Sequence, residues 1–279
     1  MQVFKRREEL LTVLKKQQPQ NLGLVPTMGA LHEGHLALVN RAILENDWVI
    51  VSIFVNPTQF DNTDDLANYP QSLATDLQKL SAYQDKLLVY APETDDLYPT
   101  SVKSHSFDFG LLEKTMEGAS RGGHFQGVAT IVHKLFSSFM PTRAYFGEKD
   151  YQQLRIIHAL VAQCSFPIEI VDCPIVREKD GLALSSRNMR LNPSQRQMAP
   201  LVYQTLVEAQ RKKSNTSPSE ICQWVDHFLK KQPGLTLDYF CIADAHSLQP
   251  VDSVDHNQPL RAFIAVQLGD IRLIDNIIF

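Results

Sequence analysis

Two histidines three residues apart, His32 and His35, are the residues whose type and spacing point most directly to chemistry. They follow a short apolar run that ends at Pro26, where a first strand would give way to a helix. A spacing of three residues places both side chains on one helix face, and both imidazoles can donate hydrogen bonds to phosphate oxygens. Because a helix start carries unpaired N–H groups and a partial positive charge, residues 26–35 predict a site for a phosphate-bearing anion.

The same pair has two simpler interpretations. Zinc binding is disfavoured because the spacing differs from that of H-E-x-x-H, and neither a cysteine nor a second carboxylate nearby completes a ligand set. Solvated surface histidines stay open as an interpretation of this segment alone.

Polar residues follow two further apolar runs. Gln59 comes after the run 48–55 and offers amide donors and an acceptor to a small polar substrate, although a plain turn accounts for the segment equally well. Lys149 and Asp150 follow a short run that ends at residue 146. There the lysine could neutralise a phosphate and the aspartate could hold a ribose hydroxyl. The alternative is a surface ion pair, worth less than about 1 kcal/mol.

Two loops complete the candidates. The segment 182–188 holds two serines and an arginine, which could grip phosphates or could simply form a linker. The segment 121–128 is rich in glycine and carries Arg121 and His124. It is interpreted either as a flexible loop or as a gate that contributes phosphate contacts.

One architecture would position these residues. The run 48–55 is almost unbroken and β-branched, which suits a strand buried on both faces of a parallel sheet. Strand-like and helix-like segments alternate up to residue 176, and this predicts an α/β fold with a doubly wound, mostly parallel Rossmann-like sheet. Ligands bind beyond the carboxyl ends of such strands. Helical and then β-rich segments follow, so we expect a nucleotide- and substrate-binding domain of residues 1–176 and a smaller C-terminal α+β domain of residues 177–279.

Composition narrows the class of function. The 279 residues carry a net charge of -4, which gives no broad attraction to nucleic acid or to an anionic membrane. The amino-terminal residues contain no apolar signal segment, and the four cysteines form no C-x-x-C pair. A cytoplasmic enzyme with free thiols is therefore expected.

Five segments together resemble the pantothenate synthetase (pantoate–β-alanine ligase) family of the H-x-G-H nucleotidyltransferases. The set follows the family's order along nearly the whole chain and is far more specific than any one member. It implies that pantoate and ATP give pantoyl-adenylate and pyrophosphate, and that β-alanine then attacks the adenylate to yield pantothenate and AMP. The segments are PTMGALHEGH (26–35), SIFVNPTQF (52–60), FGEKDYQQL (146–154), VREKDGLALSSRN (176–188) and RLIDN (272–276).

The resemblance also implies roles for single residues. His35 would be the proton donor, whereas His32 and Lys149 would stabilise the phosphates. Asp76 corresponds to a metal-associated acid, and Mg²⁺ would bridge the phosphates of ATP. The family is usually homodimeric through its first domain, and the C-terminal domain would act as a lid. The other implied ATP contacts are Met28, Gly29, Ala30, Leu31, Glu33, Gly34, Gly147, Glu148, Asp150, Val176, Leu184, Ser185, Ser186 and Arg187, and the implied pantoate contacts are Met28, Gln59 and Gln153.

Three positions depart from the family's pattern. Gln126 stands where many members carry an arginine, which removes a positive charge, and Gly122 replaces a proline. Thr75 stands beside Asp76 where an acidic residue is common.

Three other functions compete with this one. A nucleotidyltransferase that acts on a phosphate would need a basic second pocket, whereas Gln59 and Gln153 are neutral. A tRNA-binding relative would need a basic or aromatic-rich face, which the acidic chain and short second domain disfavour. A catalytically silent nucleotide-binding module would have no need of both histidines together with Lys149.

Overall fold

The computed structural model describes residues 1–61, 63–83, 85–254 and 257–279. They form two compact units. The first comprises Met1–Phe109, Arg121–Glu148 and Gln153–Pro174. The second comprises Gly110–Ser120, Lys149–Gln152 and Ile175–Phe279. Two short central segments therefore belong with the carboxyl-terminal part of the chain, and the predicted division at 176/177 stays a prediction.

A sheet of six parallel strands forms the first unit, in the order β1-β4-β3-β2-β5-β6. From β2 the chain runs outward through β3 and β4 on one side and then through β5 and β6 on the other, while β1 forms the edge beside β4. The switch point of the topology therefore lies between β2 and β5. The predicted Rossmann-like sheet is confirmed. The strands are β1 (Gln2–Phe4), β2 (Leu22–Thr27), β3 (Trp48–Ile53), β4 (Leu87–Tyr90), β5 (Arg143–Gly147) and β6 (Glu169–Cys173).

Helices connect these parallel strands, as crossover connections require. Among the described residues, no helix has both the length and the apolar character needed to cross a membrane. In chain order the helices up to the end of the sheet are α1 (Arg7–Gln17), α2 (Glu33–Glu45), α3 (Thr63–Ala67), α4 (Leu73–Leu80), α5 (Thr94–Leu97), α6 (Met116–Ser120, in the second unit), α7 (His124–Phe139) and α8 (Tyr151–Cys164).

The central strands explain why the hydrophobic pattern of the sequence shows no alternation. Val49, Ile50 and Val51 are all fully buried, because helices cover both faces of the sheet. Thr27 of β2 pairs with Ile53 of β3, so the two strands end level with each other. The loops that follow them therefore begin side by side at the carboxyl edge.

The second unit is built on three antiparallel strands in the order β7-β8-β9. Gly269 and Asp270 form the turn between β8 and β9, and Gly269 has a φ of 59°. The smaller α+β part of the predicted fold is thus confirmed. Its elements are α9 (Pro193–Met198), α10 (Leu201–Lys212), α11 (Pro218–Leu229), β7 (Leu235–Asp244), β8 (Leu260–Leu268) and β9 (Ile271–Ile278).

Candidate active site

The residues predicted to act on ATP and pantoate fall on both compact units. The first unit holds residues 28–35, Gln59, Asp76, Gly147, Glu148 and Gln153, and the second holds Lys149, Asp150, Val176 and residues 184–187. Each unit therefore carries its own share of the predicted site.

The loop after β2 turns sharply through two left-handed residues. Gly29 has a φ of 77° and Ala30 a φ of 49°. A side chain at position 29 would be strained by that φ and would also place its Cβ 2.9 Å from Asp76 Oδ2. The hydroxyl of Thr27 accepts the Gly29 N–H and donates to the carbonyl of Ser52 in β3. Glycine is therefore required here by conformation and by space.

Asp76 of α4 holds this loop in place. Its Oδ2 accepts the N–H of Ala30 at 3.0 Å and its Oδ1 accepts the N–H of Leu31 at 2.7 Å. The side chain of Lys79, one turn further along α4, donates to the Leu31 carbonyl. Asp76 is only 2% exposed. The loop's conformation is thus fixed by a buried carboxylate 46 residues away in the sequence.

The contacts of Asp76 affect two predictions: the ATP contacts at Ala30 and Leu31, and the metal role of Asp76 itself. The N–H groups of Ala30 and Leu31 donate to Asp76, so an ATP contact at either residue would have to use other atoms. Among the described residues, no group of three or more histidine, cysteine or acidic side chains is arranged to hold a metal ion. Each oxygen of Asp76 accepts one backbone N–H. The metal role of Asp76 stays a prediction, and the geometry gives its carboxylate a different task.

His32 and His35 lie together at the start of α2. His32 is the residue that caps the helix, and its Nδ1 accepts the N–H of Gly34 at 3.1 Å. His35 lies in the first turn, and its Nδ1 accepts the N–H of His32 at 3.3 Å. The two ring centroids are 4.0 Å apart. The bonds form a reciprocal capping box, so the backbone and the two rings orient one another.

These hydrogen bonds also select the tautomer of each ring. A neutral imidazole that accepts at Nδ1 carries its proton on Nε2. His32 and His35 can therefore each present an Nε2–H donor at the helix start, as phosphate binding requires.

Gln59 lies at the end of a short 3₁₀ turn, Pro57–Gln59, that follows β3. It is 7% exposed, and its Nε2 contacts the Sδ of Met28, so the structure brings these two predicted pantoate contacts together. Its Oε1 accepts from Asn56 at 3.3 Å, and its carbonyl is 2.7 Å from the Nδ1 of His124. The half-buried Gln153 lies in the first turn of α8.

Asn56 and Gly127 were not assigned a role from the sequence. Asn56 is 1% exposed, donates to the Gly127 carbonyl at 3.1 Å and accepts from the hydroxyl of Tyr98 at 2.7 Å. A Cβ on Gly127 would lie 2.1 Å from the carbonyl oxygen of Thr58. The turn that carries Gln59 therefore packs directly on the backbone of α7. The Asn-Pro pair that follows β3 was the one sequence signal for this turn.

Gln126, a departure from the family pattern, has a structural role in the first unit. Its Nε2 donates to the carbonyl of Phe107 at 3.0 Å, and its Oε1 accepts the N–H of Phe107 at 2.8 Å. An arginine has no acceptor and could make only the first of these bonds. The glutamine therefore suits this chain's own 107–126 contact.

Lys149 and Asp150 lie in the second unit, in a 3₁₀ turn that follows β5 along the chain. The Nζ of Lys149 is 3.2 Å from the Oδ1 of Asp150. The lysine side chain is 19% exposed, whereas the aspartate is 46% exposed, so Lys149 is not an ordinary solvated lysine. In the first unit, Gly147 ends β5, and apart from its chain neighbours no described residue has a heavy atom within 4 Å of the place where a Cβ would stand.

The segment around the two predicted serines is ordered by its own hydrogen bonds. The N–H of Leu184 donates to the carbonyl of Val176 at 3.0 Å, which closes a hairpin through Gly181 at a φ of 94°. Ser185 caps the next 3₁₀ turn by accepting the N–H of Arg187 at 3.3 Å. The linker interpretation does not account for this structure, because the segment is a built hairpin followed by a capped turn.

The whole chain matches known proteins. Residues 2–278 match the family model described as pantoate-beta-alanine ligase. A pantothenate synthetase of Christiangramia forsetii is 47% identical over 279 residues, 99% of each chain, and one of Bacteroides fragilis is 48% identical over 267 residues, 96% of this chain and 94% of that one.

Solved structures agree with the sequence relatives. A pantothenate synthetase from Thermus thermophilus has a TM-score of 0.92 at 41% identity, with 99% of each chain covered. A pantoate-beta-alanine ligase from Francisella tularensis, solved in complex with beta-gamma ATP and beta-alanine, has a TM-score of 0.81 at 35% identity and covers 100% of this chain and 97% of that one.

Proposed function

The chain belongs to the pantoate–β-alanine ligase family, and we propose that its residues carry the family's reaction through a pantoyl-adenylate. The overall reaction is the ATP-dependent condensation of pantoate with β-alanine in pantothenate biosynthesis, which makes the chain a carbon–nitrogen ligase.

The proposed mechanism consists of two nucleophilic substitution steps. In the first, a carboxylate oxygen of pantoate bonds to the α-phosphorus of ATP, and the bond to the β-phosphate oxygen breaks to release pyrophosphate. In the second, the amine of β-alanine attacks the acyl carbon, the bond from that carbon to the phosphate oxygen of AMP breaks, and the amine loses a proton to solvent. Both steps require positioning and charge stabilisation more than covalent help from the protein.

The capping box of His32 and His35 is the observation that carries the proposal. It fixes both rings at the start of α2, beyond β2 at the edge of the topological switch point, with Nε2–H as the donor on each. A helix start at that place suits an anion. We assign His32 to phosphate binding and His35 to proton donation. The helix start also includes Glu33 and Gly34, which we assign to the ATP site.

In the proposed mechanism, the second unit supplies positive charge and hydroxyl groups. Lys149 would neutralise charge that develops at the transferred phosphate, and Asp150 would contact the ribose. The capped turn would hold the β- and γ-phosphates through Ser185, Ser186 and Arg187.

The reaction's dependence on its acid gives the first test. The protein is expected to release pyrophosphate from ATP only when pantoate is present, because the pantoate carboxylate is the nucleophile of the first step. A coupled pyrophosphate assay with pantoate, with other small hydroxy acids and without acid measures this. Equal release with unrelated acids would contradict the substrate assignment, and transfer of AMP to a phosphate acceptor would favour the competing nucleotidyltransferase function.

Gln59 gives a second test. Gln59→Ala is expected to raise the KM for pantoate about tenfold, the size of one lost hydrogen bond, with a smaller change in the KM for ATP. The reason is that the neutral side chain of Gln59 contacts Met28, another of the residues assigned to pantoate. Steady-state kinetics with each substrate varied in turn measures the split, and Gln71→Ala, at an exposed glutamine of the same unit, is the matched control. A larger rise for ATP would place the pocket elsewhere.

Four features of the proposal rest on the family resemblance and composition. We propose that ATP is used with Mg²⁺, with no protein ligand assigned to the ion, and that the C-terminal domain of residues 177–279 acts as a lid. We also propose a homodimer and a cytoplasmic location. All four cysteines are free, which suits a reducing compartment. Neither nucleic acid nor a membrane has a part in this function.

A further inference from the structure

Asp275 and Asn276, near the end of β9, are two adjacent polar residues in a buried strand. They are 4% and 1% exposed. Burying such groups costs free energy unless their hydrogen bonds are made, so their partners are informative. Because successive side chains of a strand point to opposite faces, the pair can hold two different segments of the second unit.

Asn276 holds the backbone of Lys149. Its Nδ2 donates to the Lys149 carbonyl at 3.0 Å. Its Oδ1 accepts from the guanidinium of Arg261 in β8, which fixes the orientation of the amide. The same guanidinium lies 3.9 Å from the ring centroid of Tyr151, two residues after Lys149. The short segment that carries the lysine is thus held at its backbone and at a neighbouring side chain.

Asp275 holds the hairpin that leads to the two serines. It accepts from both ends of the Arg177 guanidinium, at 2.6 and 2.9 Å. Arg177 also donates to the carbonyls of Gly181 and Asn276, at 3.0 and 3.1 Å, and lies over the ring of Tyr203. This planar, multiply bonded arrangement leaves the hairpin little freedom to shift.

An apolar pair of side chains at positions 275 and 276 would be buried in the strand without needing hydrogen bonds. It would remove the donor that holds the carbonyl of Lys149, and it would leave the cation of Arg177 without its counter-charge. The polar pair is therefore explained by what it holds.

We infer that Asp275 and Asn276 are positioning residues, which set the backbone of Lys149 and the hairpin before Ser185–Arg187 from a single strand. The inference deepens the proposed function and rests on the phosphate roles assigned there. Asn276 acts through Lys149, and Asp275 acts through Arg177. Neither residue needs to touch a substrate.

A double-mutant cycle tests the Asn276 arm. Asn276→Ala is expected to lower kcat for pantoate-dependent pyrophosphate release about tenfold, because a displaced lysine loses contact with the developing charge. In the Lys149→Ala background the same change is expected to alter kcat less than about twofold, since no side chain is left to misplace. A purely structural role would give the same loss in both backgrounds, and that result would overturn the inference.

Two further variants keep the test decisive if Asn276→Ala is poorly folded. Asn276→Asp retains the size and the acceptor for Arg261 but replaces the donor to Lys149, so the same loss of kcat is expected. Thr205→Val removes another buried hydrogen bond of this unit, from Thr205 to the Leu201 carbonyl, and is expected to leave kcat unchanged. Full activity of Asn276→Asp would overturn the inference.

The outcomes separate this inference from the proposed function. A small effect of Lys149→Ala alone would contradict the phosphate role of Lys149. A large effect of Lys149→Ala with no effect of the Asn276 variants would overturn only the positioning role.

Discussion

Lys149→Ala is expected to lower kcat about 10²–10³-fold, the range for the loss of one preorganised donor that acts on charge developing in the transition state. The Nζ is largely covered and lies 3.2 Å from Asp150, and the backbone is held by Asn276. A lysine fixed in this way needs little reorganisation when charge develops on a phosphate. Pyrophosphate release at saturating ATP and pantoate measures the loss.

Two variants accompany this measurement. Lys149→Arg keeps the charge but changes the shape and the donor geometry, so it is expected to retain only part of the activity. Lys179→Ala removes an exposed lysine of the same unit and is expected to behave like the wild type. A loss below about threefold in Lys149→Ala would remove the residue from the chemistry.

The sheet could be predicted because its signal is local. A run such as 48–55, which shows no polar alternation, is typical of a strand covered on both faces, and Val49–Val51 are fully buried. The strand Gln2–Phe4 was missed because three residues, two of them exposed, give no periodicity. Residues 194–212 form one helical pattern in the sequence, whereas the structure has two helices there. The first ends at Met198 and the second begins at Leu201, next to Pro200.

The local sequence pattern does not predict which segments of the chain belong to the second unit. Residues 110–120 belong to it because Arg272 of β9 binds Glu117 with two contacts of 2.7 Å, and Tyr239 donates to the same carboxylate at 2.8 Å. These partners are 155 and 122 residues apart. A buried ion pair of this kind has no signature in either segment alone.

The candidate site, too, could be predicted only in part from the sequence. Its position at strand ends followed from the α/β pattern, and the spacing of His32 and His35 suggested one helix face. The structure adds that His32 caps the helix instead of lying within it, and that each Nδ1 takes a backbone N–H. Such roles depend on the backbone conformation of a few residues, which sequence spacing does not determine.

Asp76 is the residue at which the role implied by the family resemblance differs most from the contacts in the structure. Its correspondence to a metal-associated acid came from the resemblance, whereas the structure directs its two oxygens to the N–H groups of Ala30 and Leu31. The loop it holds contains two left-handed residues and leads directly into the histidine pair. A free loop of this kind would relax toward less strained backbone angles.

We therefore expect Asp76→Ala to lower kcat about 10²-fold, because a shift of about 1 Å in a positioned group costs a factor of this size. Two N–H groups would also lose their buried acceptor, which costs about 1–3 kcal/mol of stability. Asp76→Asn keeps the size and one acceptor oxygen, so an intermediate kcat is expected. Kinetics and urea unfolding of both variants measure these effects.

The dependence of activity on Mg²⁺ distinguishes a loop-positioning role of the Asp76 carboxylate from a metal-binding role. If Asp76 positions the loop, the lost activity of Asp76→Asn stays lost as Mg²⁺ is raised, because the missing acceptor is not replaced by a cation. Asp47→Asn is the matched control, since that carboxylate accepts the N–H of Asn21 at the opposite end of β2 and is expected to leave kcat unchanged. Recovery of wild-type kcat at high Mg²⁺ would instead assign Asp76 to the metal. Persistent loss would mean that the histidine pair depends for its position on a carboxylate outside its own helix.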